Sequence, residues 1–439
     1  MKRWVIEGGR PLRGRVTVRG AKNVAFKLMI AALLGEDETI LDNVPDVGDV
    51  DLAGQMIRHL GGCVEHIGSH QVRIDPQGLS GCSIPPALAR QSRASFMFVG
   101  PLLARFKEAS LPLPGGDRIG RRPLDRHVQG LQALGARIRK KGSTLHVSSS
   151  RLQGAQYHFP KNTHTGTETL ILASVTAKGR TQITNSAEEP EVLDLIDMLN
   201  NMGAQIKRER PRTLVIEGVD RLHGTHHTVL PDRNAAVSFS CMALATRGEI
   251  IIQQIQPKTI DAFLEQLEAI GAGFEVGESS LKVWYKGALK PTRITTAPHP
   301  GFMSDWQPLL TTLLTQAHGT SVLHETVFES RFGHVEELRK MGANITLFNP
   351  AVKNPDAVYN FNLQDDRSKY FHAARIEGPT PLNGVATTVK DVRAGATLVQ
   401  AALTARGQTT LSHVERIERG YEHLDQQLRR LGAKIESQP

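Results

Sequence analysis

Apolar positions along the chain follow a helical period in six places, and each of these six patterns ends at a glycine. The spacing of Leu195, Leu199 and Met202 is one example, and it places three apolar side chains on one helix face. A glycine follows each such helix, because glycine adopts the left-handed conformation without a Cβ clash. These glycines, separated by 74, 68, 68, 71 and 90 residues, are Gly61, Gly135, Gly203, Gly271, Gly342 and Gly432. The pattern predicts a sixfold internal repeat.

A second helix is predicted in each repeat, as in the apolar segments 31–35 and 173–179, which also end at glycine. A strand-like run such as Ile250-Ile251-Ile252 follows each of these helices. A unit of about 70 residues is too small to bury a core alone, so we expect two groups of three units. The last interval is longer than the others. Its excess lies near residues 348–380, a polar stretch that we interpret as a surface insertion.

Charged and hydroxyl side chains gather where the second helix of each repeat begins. A helix start exposes unpaired N–H groups and the positive end of the dipole, so it binds phosphate or carboxylate readily. If three units pack about a pseudo-threefold axis, their helix starts converge, and two facing triads would form a cleft. The six starts are Lys22-Asn23, Arg93-Ala94-Ser95, Thr165-Gly166-Thr167, Asp232-Arg233, Ser304-Asp305 and Asp391-Val392-Arg393.

Ordinary helix capping is the alternative for part of this set. For Asp232, Ser304 and Thr165, taken alone, capping is the favoured interpretation. Lys22 and Arg93 indicate a ligand more strongly, because a cation is unfavourable at a helix start unless an anion offsets it.

The loop 113–127 combines glycines with four arginines around the carboxylate of Asp117. Such a loop suits closing over a doubly charged substrate, and a solvated surface turn is the alternative interpretation.

Composition narrows the classes of protein. The 439 residues are 40% apolar and 22% charged, which predicts a packed protein of two or three domains. The net charge of +9 indicates an anionic partner, either a nucleic acid or a phosphorylated small molecule. Aromatic residues, at 5%, leave few stacking platforms for a nucleic acid. Since the sequence has no signal-peptide core and no bilayer-spanning stretch, we expect a cytoplasmic protein with no membrane association.

Cofactor motifs are missing from the sequence. The three cysteines, Cys63, Cys82 and Cys241, are odd in number and far apart, which argues against a disulfide framework and a thiolate metal site. The histidines have no metal-ligand spacing, and neither a Walker-A nor a Rossmann glycine motif occurs. We therefore expect no metal, ATP or NAD.

Motifs along nearly the whole chain resemble those of the enolpyruvyl transferase family. They include Gly20-Ala21-Lys22-Asn23, Arg93-Ala94-Ser95-Phe96, Leu113-Pro114-Gly115-Gly116, Arg122-Pro123, Glu325-Thr326-Val327-Phe328, Asp391-Val392-Arg393-Ala394 and Arg419-Gly420-Tyr421. The resemblance implies an α/β fold of two lobes, each with three βαβαββ-type units around buried helices, called an inside-out α/β barrel. The implied first lobe spans 22–230 and includes the active-site loop 113–127. The second combines 1–21 with 231–439 and carries the insertion near 348–380.

The resemblance also implies a reaction. The enolpyruvyl group of phosphoenolpyruvate passes to the 3-hydroxyl of UDP-N-acetylglucosamine, and phosphate leaves, by addition and elimination through a tetrahedral ketal. In the family this reaction is the first committed step of peptidoglycan synthesis. The implied partners are these two small molecules, with no cofactor and no nucleic acid, and the sequence leaves the oligomeric state open.

Residue roles carry over from the family to matching positions. Asp305 is expected at the attacking hydroxyl as base or orienting group, while Lys22, Arg122 and Arg419 are expected to clamp phosphoenolpyruvate. Asp391 is expected to position Lys22 or the loop. The implied substrate contacts are Lys22, Asn23, Arg93, Arg122, Pro123, Leu124, Asp125, Arg126, His127, Lys161, Asn162, Thr163, His164, Asp305, Val327, Phe328, Arg331, Arg393 and Arg419.

Asp117 stands where many family members have cysteine, and the resemblance implies that it donates the proton to the methylene carbon. A carboxylic acid donates only when protonated, so its pKa, ordinarily about 3.9, must rise although the nearby arginines oppose this. We expect a more acidic rate optimum than for a thiol enzyme. We also expect insensitivity to fosfomycin, which alkylates the missing thiolate.

Departures from the family motifs leave the acceptor open. Arg126 and Asn162-Thr163-His164 replace more apolar residues, and the insertion is atypical. The alternatives are another acceptor, either a different nucleotide sugar or shikimate 3-phosphate, and a catalytically silent regulator that binds a UDP-sugar. A nucleic-acid-binding module is the remaining alternative. The Arg122-Pro123 and Arg419-Gly420-Tyr421 motifs favour the nucleotide-sugar branch.

Overall fold

The computed structural model describes residues 2–116 and 119–438. In this part of the chain the strands β1 to β23 are Arg3–Glu7, Arg13–Thr17, Thr39–Asp42, Cys63–Gly68, Gln71–Asp75, Glu108–Pro112, Arg137–Lys141, Thr144–Ser148, Gln156–His158, Arg180–Thr184, Gln205–Arg210, Thr213–Glu217, His226–Thr228, Glu249–Gln253, Gly273–Val276, Ser280–Trp284, Arg293–Thr295, Gly319–His324, Asn344–Phe348, Ala373–Gly378, Ala386–Thr388, Gln408–Ser412 and Lys434–Gln438. The helices α1 to α15 are Lys22–Ala32, Gly48–His59, Pro86–Ala89, Val99–Phe106, Asp125–Ala133, His164–Ser174, Pro190–Asn201, Arg233–Ala245, Asp261–Ala269, Gln307–Leu314, Val335–Lys340, Pro355–Val358, Val392–Thr404, Glu415–Glu418 and Leu424–Arg430. Short 3₁₀ helices span Arg93–Phe98, Pro257–Ile260 and Leu363–Asp365.

The strands form six sheets with one recurring order. Their orders are β13-β3-β5-β4, β6-β8-β7, β11-β12-β10-β9, β15-β16-β14-β2, β17-β18-β20-β19 and β21-β22-β1-β23. In each sheet the strand that follows the second helix of the repeat pairs antiparallel with a central strand. In five sheets it also pairs parallel with a short outer strand. In the three-stranded sheet a single parallel bridge between Ser83 and Ser110 takes that place. The predicted sixfold repeat is confirmed.

The six repeat glycines all have left-handed backbone angles. Their φ values are +97° at Gly61, +87° at Gly135, +101° at Gly203, +73° at Gly271, +105° at Gly342 and +97° at Gly432. Each one ends an amphipathic helix, respectively α2, α5, α7, α9, α11 and α15. The prediction that glycine ends these helices is therefore confirmed.

The chain divides into two compact units. The first unit comprises residues 20–116 and 123–230, and among described residues the second comprises 2–19, 119–122 and 231–438. Strand β1 belongs to the second unit because it pairs antiparallel with both β22 and β23. Each unit contains three of the sheets and has its own apolar core.

The second helix of each repeat is buried inside its unit. In the first unit α1 and α6 each contact the 3₁₀ helix Arg93–Phe98, and α4 packs on α6. In the second unit α8, α10 and α13 contact one another. Every side chain from Val24 to Ala32 in α1 is buried. A helix that is apolar on all sides is expected at the centre of a core, which the sheets then cover.

The predicted insertion is shorter than the sequence indicates. Residues 373–378 form β20, a regular strand paired with β18 and β19. The irregular part is therefore 349–372, which we call the inserted segment. It contains its own buried aromatic pair, Tyr359 and Phe361, with ring centroids 4.9 Å apart.

None of the three cysteines forms a disulfide. Cys63, Cys82 and Cys241 are free thiols. Burial raises the pKa of Cys241 far above its ordinary value, so this thiol stays protonated.

Across residues 2–116 and 119–438, no helix combines the length and the apolar character needed to cross a bilayer.

Replacing a repeat glycine tests the importance of the left-handed helix stop. Gly135→Ala should lower the free energy of unfolding by about 1 kcal/mol, because an L side chain is strained at φ +87° even where space is open. Gly333→Ala is the matched control, since Gly333 also has open space but no left-handed φ. Denaturant midpoints of the two variants measure the difference, and equal midpoints would contradict this account.

Candidate functional site

Three helix starts in the second unit converge on Arg393. Its Nε lies 3.5 Å from Oδ2 of Asp305, and its Nη1 donates a hydrogen bond of 2.8 Å to the hydroxyl of Tyr421. That hydroxyl is also 2.7 Å from Oγ of Ser238 in α8. Burial lowers the pKa of Arg393, but its interactions with Tyr421, Asp305 and Asp232 outweigh burial and raise it overall. The residues at the starts of α8, α10 and α13 therefore lie close together, as the repeat predicts for this unit.

Asp305 lies between two buried guanidinium groups. Its Oδ1 accepts a hydrogen bond of 3.2 Å from Nη2 of Arg331, and Arg393 faces its other oxygen. The arginine side chains are 3% and 5% exposed, whereas that of Asp305 is 25% exposed. Two cations this close favour the ionised carboxylate. Asp305 is thus paired with two guanidinium groups while its side chain stays partly exposed.

Glu325 fixes the turn that carries Val327 and Phe328. Its Oε1 accepts hydrogen bonds from both backbone N–H groups, at 2.8 and 3.1 Å, and Ser304 donates to its Oε2 at 3.0 Å. Burial raises the pKa of this carboxyl group. The capping interpretation of Ser304 is wrong, because α10 begins at Gln307 and the Ser304 hydroxyl is directed to Glu325 instead.

Other helix starts are capped, although not always by the expected residue. Asp232 caps α8, as predicted, by accepting from the N–H of Asn234. The capping prediction for Thr165 is wrong, because Thr163 caps α6 and Thr165 lies within the helix. Asp391 caps α13 through one oxygen that accepts from the N–H groups of Arg393 and Ala394, at 2.9 and 2.8 Å.

Lys22 begins α1 in the first unit and already has an anion beside it. Its Nζ donates to Oδ2 of Asp49 at 2.8 Å, and the two side chains are 12% and 9% exposed. Asp49 lies in the first turn of α2, and α1 has no acidic residue in its own first turn. Because Asp49 supplies the compensating charge, the location of Lys22 does not by itself require a bound anion.

A buried ionic cluster links α1 to the start of α6. Nζ of Lys27 donates to Oε1 of Glu168 at 2.6 Å and lies 3.1 Å from Nε2 of His164. Nε2 of His164 is also 3.1 Å from the same carboxylate oxygen. Burial and Lys27 lower the pKa of His164, but Glu168 and Glu189 together raise it by more. The net shift of this pKa is therefore upward. His164 therefore carries positive charge more readily than an ordinary histidine.

Several of the predicted substrate-contact residues contact one another in the first unit. Nη2 of Arg93 donates to the carbonyl oxygen of Pro123 at 3.0 Å. Nη1 of Arg126 donates to the carbonyl oxygen of Asn162 at 3.2 Å. The structure therefore brings the 93, 123–126 and 161–164 segments to neighbouring places within this unit.

His127 and Asn162 have buried side chains that bond within the protein. Nδ1 of His127 is 3.0 Å from the hydroxyl of Thr169, and its Nε2 is 3.3 Å from that of Thr165. The amide nitrogen of Asn162 donates to the carbonyl oxygens of residues 185 and 186. Both side chains therefore already have hydrogen-bond partners within the protein.

The other predicted residues lie at element ends. Asn23 is the second residue of α1, Leu124 and Asp125 stand at the start of α5, and Lys161 precedes the α6 cap. Arg419 follows α14 directly and is part-buried.

The segment 119–122 makes its contacts within the second unit. The N–H of Arg121 and one carboxylate oxygen of Glu329 form a hydrogen bond, and the guanidinium of Arg122 lies 5.7 Å from the ring centre of Phe328. At Gly120 a Cβ would overlap the Glu329 carboxylate, so a larger residue at this position would require the Glu329 side chain to shift. Asp117 lies outside the described residues.

The sequence gives no indication of several acidic partners in the two units. Asp49, Glu168 and Glu329 are distant in sequence from the cations and amides that they accept from. Lys27 carried a signal, because a lysine inside an otherwise apolar helix predicts a buried partner. Among the described residues, no group of three or more histidine, cysteine, aspartate or glutamate side chains is arranged to hold a metal ion.

Comparison with known proteins places this geometry in a family. A family model described as EPSP synthase (3-phosphoshikimate 1-carboxyvinyltransferase) matches residues 6–436. A protein of Acidobacterium capsulatum named UDP-N-acetylglucosamine 1-carboxyvinyltransferase is 40% identical, over 99% of this chain and 96% of its own. One of the same name from Idiomarina loihiensis is 38% identical over 99% of both chains.

Solved structures share the fold. The enolpyruvyl transferase NikO from Streptomyces tendae matches with a TM-score of 0.87 at 24% identity, over 99% of this chain and 98% of that one. EPSP synthase from Acinetobacter baumannii matches with a TM-score of 0.72 at 20% identity over 100% of both chains. These likenesses confirm the predicted fold class, and the family match confirms the resemblance found in the motifs. The chain belongs to the EPSP synthase family, that is, to the enolpyruvyl transferases.

Proposed function

We propose that this chain transfers the enolpyruvyl group of phosphoenolpyruvate to the 3-hydroxyl of UDP-N-acetylglucosamine and releases phosphate. Relatives named for this activity are 36–40% identical over 99% of the chain, and their names support UDP-N-acetylglucosamine as the acceptor. The structural observation that carries the proposal is the partly exposed carboxylate of Asp305 held between Arg331 and Arg393. In a bacterial cell this reaction would be the first committed step of peptidoglycan synthesis.

Asp305 serves in this proposal as the base, or as the group that orients the attacking hydroxyl. Its ionised carboxylate accepts the hydrogen of the 3-hydroxyl while the hydroxyl oxygen forms a bond to C2 of phosphoenolpyruvate. The two arginines fix the carboxylate, so little reorganisation is needed when the hydroxyl proton moves.

Proton donation to the methylene carbon completes the addition, and we assign it to Asp117. In the elimination the Asp117 carboxylate takes a proton back from the former methylene carbon, phosphate leaves C2, and the double bond is restored. Lys22, Arg122 and Arg419 are proposed to bind the phosphate and carboxylate of phosphoenolpyruvate. Asp391 is proposed to support Lys22 or the loop, besides capping α13.

A phosphate-release assay with a panel of acceptors tests the activity. With phosphoenolpyruvate present, UDP-N-acetylglucosamine should give turnover, and another nucleotide sugar or shikimate 3-phosphate should give little. Turnover only with shikimate 3-phosphate would support the activity named in the family description. Binding of the UDP-sugar with no phosphate release would support the silent regulator.

Asp305→Asn should lower kcat about 100-fold, because the amide keeps the shape of the side chain but cannot take up the hydroxyl proton. Asp261→Asn is the control, since Asp261 is an exposed first residue of α9 in the same unit. Steady-state phosphate release measures kcat, and denaturant midpoints identify any loss of structure. Wild-type kcat in the D305N variant would remove Asp305 from the proposed chemistry.

Asp117→Asn should lower kcat at least about 100-fold, because an amide donates no proton, whereas Asp117→Cys should retain turnover. A carboxylic acid is active only below its pKa, so the wild-type rate should fall at lower pH than the rate of the cysteine variant. Fosfomycin should inactivate the cysteine variant and leave the wild type active. Strong inhibition of the wild type, or full activity in the Asn variant, would contradict this assignment.

A further inference from the structure

The inserted segment contacts the active-site loop directly. A guanidinium nitrogen of Arg121 bonds to Oδ1 of Asp365, which ends the 3₁₀ helix Leu363–Asp365. The Asp365 side chain is only 2% exposed, whereas that of Arg121 is 67% exposed. A carboxylate removed from water needs a compensating cation, and here a residue of the loop supplies one.

The inserted segment is itself fixed to the second unit. The N–H of Asn360 donates to the carbonyl oxygen of Thr326 at 2.8 Å, which joins the segment to the turn that carries Val327 and Phe328. The hydroxyl of Tyr359 lies 3.2 Å from Nε2 of His324 in β18. Asp365 therefore lies in a segment that is attached to the second unit.

The loop has a second set of contacts beside this pair. The N–H of Arg121 bonds to Glu329, and the N–H of Ser330 donates to the carbonyl oxygen of Ile119 at 3.3 Å. Both the backbone and the side chain of Arg121 are thus engaged. The next residue, Arg122, has a left-handed φ of +47° and lies over Phe328. A non-glycine residue with this angle is strained, so neighbouring contacts must hold it in place.

We propose that Asp365 is a positioning residue, which binds Arg121 and thereby holds Arg122 in place for phosphoenolpyruvate. This inference rests on the proposed function, because it gives Arg122 its place in the substrate clamp. The inserted segment then contributes to the site without touching substrate, by limiting the positions that residues 119–122 adopt before substrate arrives.

Asp365→Asn tests the proposal, because it removes the charge and retains the shape. Hydrogen exchange at the Arg121 amide should speed up in the substrate-free protein. The kcat/KM for phosphoenolpyruvate should fall about fivefold, as expected for a partly exposed ion pair. The denaturant midpoint should stay at the wild-type value. Unchanged exchange and unchanged kinetics would overturn the proposal.

Asp366→Asn is the matched control. Asp366 accepts from Nε2 of His372 at 3.0 Å, so its carboxylate is engaged within the inserted segment itself. This variant should keep wild-type exchange at Arg121 and wild-type kcat/KM. An equal effect in both variants would mean that general disturbance of the segment is responsible, and would overturn the positioning role.

A charge exchange gives a third measurement. Either charge reversal alone, Arg121→Asp or Asp365→Arg, should speed up hydrogen exchange at the amide of residue 121. The double variant should recover part of the slow exchange, because the two charges are again opposite. Because hydrogen exchange needs no substrate, it reports the contact even if the wild type releases no phosphate with any acceptor. That last result would refute the proposed function and leave the contact itself established.

Discussion

Burial of the second helix in every repeat is the constraint on which the rest of the structure depends. In α1 and α13 nearly every side chain is buried, so no face of these helices is available to a ligand. The hydroxyl groups inside α13 bond to the helix itself, as Thr397 does to the carbonyl oxygen of Arg393 at 2.9 Å. The helix ends are therefore where polar side chains can reach solvent. The convergence of the starts of α8, α10 and α13 on Arg393 follows from that restriction.

Charge compensation then decides how these helix ends are built. A buried cation is costly unless a carboxylate accompanies it, and four cations in or beside these helices are accompanied in this way. Lys22 has Asp49, Lys27 has Glu168, and Arg331 and Arg393 share Asp305. Pairing fixes each group in one position. An ammonium or guanidinium group has several N–H donors, so a cation can bind its carboxylate and still offer a donor to an anionic substrate.

The sequence predicts the fold well because the repeat is local. Six glycines after six amphipathic helices are visible without any knowledge of tertiary contacts, and their φ angles agree with the prediction. Residue types at the helix starts likewise indicate where the site lies. The partners are not predictable in this way, since Lys27 and Glu168 are 141 positions apart. Boundaries matter as well, because a shift of two residues makes Thr163 rather than Thr165 the cap of α6.

The inserted segment shows how a repeat can gain a contact without losing its register. It enters between β19 and β20, where Phe348 and Ala373 remain paired across the two strands. Adding residues to such a connection costs little, because loop-closure entropy grows only slowly with length. The aromatic pair of Tyr359 and Phe361 gives the added residues a small core of their own. A segment that packs in this way can place a carboxylate beside the loop as firmly as a helix would. The polar composition of the stretch gives no sign of this packing, because surface loops have the same composition.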